Sequence, residues 1–275
     1  MRALVKKILS QLCPSIFHTL RIRSFTKKTL PKDFVKNIEK LNANSVAIDV
    51  GANIGLVSEV MAKTGARVIA FEPNKRALKE LRDVAIRYPN IEVNEVAAGT
   101  KVAKVKLYLH KDSERTHEDL TQASSLMSEK PNVSKSLSQD VDEIDFADFL
   151  INIDTDIDLL KIDIEGYEIE LINHLIDKSA LLNVAKVYVE THERKFVALT
   201  EATDRMKRRV EDFGLSDKFF WDWNWFRFFV AQCATMNRIV YWLGIKEKSV
   251  GVWAITKSIT YRLKKRVISY TNVTH

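Results

Sequence analysis

The chain has 275 residues, 46% of them hydrophobic, so it can bury a real core as one large domain or as one domain with extensions. No apolar run reaches the ~18 residues of a membrane helix, and Cys13 and Cys233 show no metal-ligand spacing and fit a reducing compartment. The net charge of +7 is uneven: residues 1–44 hold ten basic residues against Asp33 and Glu39, and Arg262, Lys264, Lys265 and Arg266 form a second cluster. Basic residues at the ends of a chain with a balanced middle argue against a nucleic-acid protein.

Residues 1–44 read as a basic, helical N-terminal extension. Leu4, Val5, Ile8, Leu9 and Leu12 recur at helical spacing over Met1–Cys13, and Pro14 ends the pattern. Such a helix either lies in an anionic membrane surface or packs on its own domain or a partner. Ser10, Gln11, Pro14 and Ser15 interrupt any signal-peptide core. Asp33–Leu41 predicts a second helix.

Ser45–Val50 predicts a buried strand ending near Asp49; Gly51 and Gly55 follow, and Leu56, Val60 and Met61 start a helical pattern. Strand, glycine turn and helix make a nucleotide cradle in α/β proteins. The next strand, Arg67–Phe71, ends at Glu72, 21 residues after Gly51. A carboxylate at about 20 residues bonds ribose hydroxyls in doubly wound folds. The loop is G-x-x-x-G rather than G-x-G-x-x-G or a Walker loop, which suits an adenosyl ligand without a pyrophosphate, such as S-adenosylmethionine.

Asn74 predicts the cap of a helix bearing Leu78, Leu81 and Ala85, and Ile91–Val96 a third strand. Val102–Leu109 alternates like an exposed antiparallel strand. Residues 111–139 are polar and serine-rich and read as a mobile loop near the site, and 142–150 as a short helix. Leu159–Asp163 predicts a strand followed by a helix carrying Ile169, Ile172 and Ile176; Lys186–Glu190 predicts another strand. A charged helix over 200–213 ends at Gly214, and residues 219–229 are dense in aromatics. Residues 239–242 and 250–256 are read as closing antiparallel strands.

The ordered set IDVGANIG, FEPN, KIDIEGYE and VETH, between Ser45 and His192, closely resembles the FkbM family of methyltransferases. The resemblance implies an α/β fold: a doubly wound, Rossmann-like class I methyltransferase sheet, mostly parallel with an antiparallel C-terminal edge. Residues 45–200 would form the S-adenosylmethionine-binding core, and 201–275 would complete the sheet and contribute to the acceptor site. It implies an S-adenosylmethionine-dependent O-methyltransferase acting on a hydroxyl of a sugar, glycan or secondary metabolite. It further implies that Gly51, Asn53 and Gly55 wrap the methionine part of the cofactor, that Glu72 holds the ribose, and that Asp163 and Glu165 face the reacting groups.

In such a sheet Asp49, Asp163 and Glu190 converge at one crevice beyond the strand ends. Asp49 either contacts the cofactor or organises the turn through backbone N–H groups, and Gly55 either wraps cofactor or permits close packing. The general-base candidates are Asp163, Glu165, Glu190 and His192, the histidine having the most suitable ordinary pKa. Glu165 and Glu168 sit at a helix start, where the dipole alone favours acids, and for Glu168 that reading stands beside a role in the site. The oxygen-rich crevice leaves a divalent metal such as Mg²⁺ open, without a tight metal motif.

The aromatic stretch, with Trp221, Trp223 and Trp225 on one strand-like face, either completes a core or dimer interface or forms an acceptor wall covered by the serine-rich loop. The rival readings are a non-catalytic nucleic-acid-binding module and an NAD-dependent oxidoreductase. The expected location is cytoplasmic, with peripheral membrane contact as an option, and no nucleic-acid partner is expected.

Overall fold

A computed structural model describes residues 30–110, 124–127, 133–194 and 196–221, together with Ile22 and Thr26. The chain runs α1 (Lys32–Ile38), β1 (Val46–Val50), α2 (Leu56–Ala62), β2 (Arg67–Phe71), α3 (Lys75–Arg87), β3 (Ile91–Asn94), β4 (Ala97–Gly99) and β5 (Ala103–His110). It continues through β6 (Val133–Asp145), α4 (Phe146–Asn152), β7 (Leu159–Ile162), α5 (Glu168–Asp177), β8 (Val187–Val189), α6 (Thr200–Asp212) and β9 (Phe219–Phe220).

The main sheet has six strands in the order β3-β2-β1-β7-β8-β9, every neighbouring pair parallel. Helices cover both faces, which is why β1 and β7 are buried at every residue and read as apolar runs rather than alternations. On one face Phe34, Val57, Met61, Leu78 and Leu81 pack on Ala47 and Val68. On the other, Phe146, Leu150, Ile172, Leu175 and Met206 pack on Ile48, Ile69 and Leu160. The chain order places β1 beside both β2 and β7, so the strand order reverses there and a crevice opens beyond their C-terminal ends.

Residues 30–41 belong to this core. Phe34 is fully buried and meets Tyr188 edge-on at 4.7 Å, and Asn37 Nδ2 donates to the Tyr188 hydroxyl at 2.6 Å. Asn74 caps α3 as expected, its side chain accepting from Arg76 N at 3.0 Å.

A smaller sheet, β4-β6-β5, stands beside the crevice, with β5 antiparallel to β6 and β4 parallel to it. It corrects two expectations. Residues 133–139 are not loop but the first half of β6, a polar strand whose partner β5 supplies the order that its serines do not advertise. The helix expected over 142–150 begins only after Asp145, because Asp142 and Glu143 pair with β5 and Asp145 accepts from Ala147 N and Asp148 N as an N-cap. Residues 111–123 and 128–132 lie outside the described residues.

Of the aromatic stretch, Phe219 and Phe220 form the parallel edge strand, and Phe220 stacks on Tyr188 at 4.6 Å. These two rings therefore complete the core. Trp223, Trp225, the expected closing strands at 239–242 and 250–256, and the first helix at 1–13 lie outside the described residues. Among the described residues no helix is long and apolar enough to cross a membrane.

Candidate active site

The crevice starts at the turn after β1. Gly51 N and Ala52 N both donate to Phe71 O at 3.0 Å, tying the turn to the end of β2. Gly51 has φ +77°, and a Cβ there would stand 1.9 Å from the Asp163 carbonyl oxygen. Only glycine allows this approach of the β1 and β7 ends. Asn53 is also left-handed, at φ 50°, and its Oδ1 accepts from Ile54 N at 2.7 Å. Gly55 faces away from the crevice: a Cβ there would lie 2.8 Å from Leu81 Cδ1, so its structural use is close packing of α2 on α3.

Glu72 stands opposite. Its Oε2 accepts from Asn53 N and its Oε1 from Asn74 N, each at 2.7 Å, which fixes the carboxyl in one orientation. Burial outweighs these bonds and pushes its pKa from an ordinary 4.5 to about 7.

Beneath the turn lies a buried ion pair. Asp49 accepts from Ser58 Oγ at 2.6 Å and sits 3.1 Å from Lys161 Nζ, which also donates to Gly51 O at 2.8 Å. Burial opposes the charge on Lys161, but Asp49, Asp163 and Glu190 together raise its pKa and hold it as ammonium. Asp49 is thus part of the floor that shapes the turn, fully buried below the crevice.

The loop after β7 supplies the third side. Asp163 N donates to Val50 O at 3.0 Å; Glu165 takes a left-handed φ of 57°, and its carbonyl accepts from Ser125 Oγ at 2.9 Å. Behind them His192, fully buried, has its Nδ1 2.8 Å from Glu168 Oε1. Its Nε2 points at Glu165 Oε2 (3.5 Å) and Asp163 Oδ1 (3.7 Å). Burial alone would lower the His192 pKa; Glu165 and Glu168 raise it well above the ordinary value. Glu190 is buried in the same layer, its N–H donating to Ile162 O at 3.0 Å.

Together these parts form one cleft that is open to solvent. Gly51, Asn53, Glu72, Asp163 and Glu165 line it; Ala97, Ala98, Leu107 and Leu126 give an apolar side, with Ser124, Ser125 and Tyr167 as its neutral polar groups. Of the expected site residues, Asp49, Gly55, Glu190 and His192 are not in the lining but lie behind it. From sequence alone Lys161 has no assigned role, and Glu168 is weighed as a helix-start acid with no partner named. A lysine inside an apolar strand, LLKI, was the available signal for the first.

A parallel sheet with a glycine turn at the strand-order reversal and an acid after β2 defines a Rossmann-like fold. The chain belongs to the FkbM methyltransferase family: the methyltransferase FkbM domain matches residues 49–216, the stretch that builds the cleft. It is also similar to ribosomal RNA small subunit methyltransferase A of Thermotoga petrophila, 39% identical over 64 residues, or 23% of this chain and 24% of that protein. The same-named protein of Lysinibacillus sphaericus is 36% identical over 76 residues, 24% of this chain and 26% of its own. The chain thus spans about a quarter of these curated relatives. A solved structure, precorrin-6y C5,15-methyltransferase from Geobacter metallireducens, aligns with a TM-score of 0.35 at 16% identity, covering 68% of this chain and 74% of that one.

Proposed function

We propose that the chain is an S-adenosylmethionine-dependent O-methyltransferase that methylates a hydroxyl of a sugar or glycan. The observation that carries the cofactor assignment is the charge of the cleft. Its lining holds three carboxyls, Glu72, Asp163 and Glu165, and among the described residues no lysine or arginine. Such a lining favours a cationic ligand and disfavours phosphates, the reverse of what a dinucleotide or a nucleic acid needs.

The residues present fit the cofactor. Glu72, held by two backbone N–H groups, keeps lone pairs for ribose hydroxyls, and Gly51 and Asn53 shape the turn beside it. When bound, S-adenosylmethionine supplies an electrophilic methyl group. The chain's own contribution is to orient the acceptor, exclude water and receive a proton. Orientation alone can contribute roughly 7–11 kcal/mol. Asp163 and Glu165 are the carboxyls at the cleft that can receive the hydroxyl proton, with His192 positioned behind them by Glu168. The sugar or glycan acceptor is supported by the resemblance of the motifs, and by a cleft side of small apolar and hydroxyl side chains.

Incubation with methyl-labelled S-adenosylmethionine and a panel of glycans, analysed by mass spectrometry, tests the reading. A methyl ether on a sugar is expected. Transfer only to RNA or protein, or binding of NAD in preference to S-adenosylmethionine, would contradict it.

A further inference from the structure

The geometry points to a divalent-cation site formed by Asp163, Glu165 and His192, in the wall of the cleft. One ligand atom from each of the three lies within 4.8 Å of the others. The two distances from His192 Nε2, 3.5 Å to Glu165 Oε2 and 3.7 Å to Asp163 Oδ1, are at or beyond the limit of a hydrogen bond. They are close to what a shared ion imposes: two bonds of about 2.1 Å at 90–110° leave the ligand atoms roughly 3.0–3.5 Å apart.

The histidine is the independent observation. Its side chain is fully buried, and Nε2 has no well-formed hydrogen bond among the described residues although it is aimed between the two carboxyls. Its other nitrogen is already committed, Nδ1 lying 2.8 Å from Glu168 Oε1, while Glu168 Oε2 accepts from Gly166 N at 2.7 Å. Carboxylate, histidine and open Nε2 in this order are how proteins fix the tautomer and orientation of a metal-binding imidazole.

Charge supports the same reading. Asp49, Glu168 and Glu190 are buried, Asp163 and Glu165 line the cleft in front of them, and among the described residues Lys161 is the lysine that pairs with this group. Burying such an excess of carboxylates is costly unless a cation joins them. One imidazole with two carboxylates suits a first-row divalent ion between Mn²⁺ and Zn²⁺ better than Ca²⁺, which takes six to eight oxygens. Asp163 and Glu165 also line the cleft, so the ion borders the space where a ligand oxygen can reach it. A bound divalent ion lowers the pKa of an oxygen it holds. That use rests on the proposed hydroxyl methylation; the binding itself does not.

The test titrates the full-length, metal-stripped protein with Mn²⁺ alone, read by electron paramagnetic resonance, and with Zn²⁺ alone, read by calorimetry. One site per chain is expected. Asp163→Asn and Glu165→Gln should each weaken it at least tenfold, and Glu168→Gln, which acts through His192, by about 10–100-fold. Thermal melts check folding, and Glu165→Gln, the mildest change, decides if the others fail to fold. If neither ion binds the wild type, or Glu165→Gln binds as tightly as the wild type, His192 is an imidazolium paired with its carboxylates and the site is overturned. S-adenosylmethionine affinity in EDTA, measured on the same protein, fails separately from metal binding and distinguishes the two readings.

Discussion

Asp49 and Lys161 are register partners on β1 and β7, both fully buried, with Nζ 3.1 Å from Oδ1. The same ammonium donates to Gly51 O at 2.8 Å, so one ion pair joins the two central strands to the turn that opens the cleft. Removing one partner of such a pair leaves the other as an uncompensated buried charge, which costs about 3–5 kcal/mol. Lys161→Met and Asp49→Asn are each expected to lose that much in urea unfolding. The double variant should lose clearly less than the sum of the two. Strict additivity would show that the two residues act separately.

The glycines divide by what surrounds them. Gly51→Ala places a Cβ 1.9 Å from backbone oxygen at φ +77° and should destroy the turn, seen as failure to fold or loss of all cofactor binding. Gly55→Ala meets the end of a flexible leucine at 2.8 Å and should fold with reduced stability. Gly214→Ala, at φ +67° with nothing among the described residues within 4 Å, should cost only the left-handed conformation, about 1–2 kcal/mol. Equal losses at Gly51 and Gly214 would remove the close approach to Asp163 as the reason for glycine.

Glu72 makes the unliganded protein sensitive to pH. Its carboxyl has a folded pKa of about 7 against an ordinary 4.5, so the fold favours the protonated form. The resulting stabilisation is complete below the unfolded value and is lost as pH rises through about 7. Over that window it amounts to roughly 3 kcal/mol. The melting temperature should therefore fall between pH 5.5 and 8, and Glu72→Gln should reduce that slope. An unchanged slope in the variant would assign the effect to other groups.

Strand ends were the most legible part of the sequence. Apolar runs closed by Glu72 and Asp163 located two sides of the cleft, and Gly51 with Asn53 located the turn. Their partners were not legible, because parallel pairing joins distant segments without leaving a period. Asp49 meets Lys161 across 112 positions, and Glu168 orients His192 across 24, so an acid explained locally by a helix terminus turns out to hold an imidazole. The serines of β6 hide the strand for a related reason: they occupy one face, while Val133 and Val141 are buried on the other only because β5 pairs with them, and Glu143 accepts from Thr100 N at 2.9 Å. Glu190 directly follows β8, near where its apolar run predicts the strand end, but the sequence could not show that it and His192 stand one layer behind the cleft.

Glu72 and the Gly51 turn are expected to hold an adenosyl cation, and isothermal calorimetry with S-adenosylmethionine tests this most directly. The wild type should bind, and Glu72→Ala, folded by its melting curve, should lose roughly 1.5–3 kcal/mol for each hydrogen bond to the carboxylate, or about tenfold or more in affinity. Affinity should also rise from pH 6 to 8, with proton release, as the cofactor's hydroxyls draw Glu72 to its ionised form. Undiminished affinity in a folded Glu72→Ala protein would contradict the account.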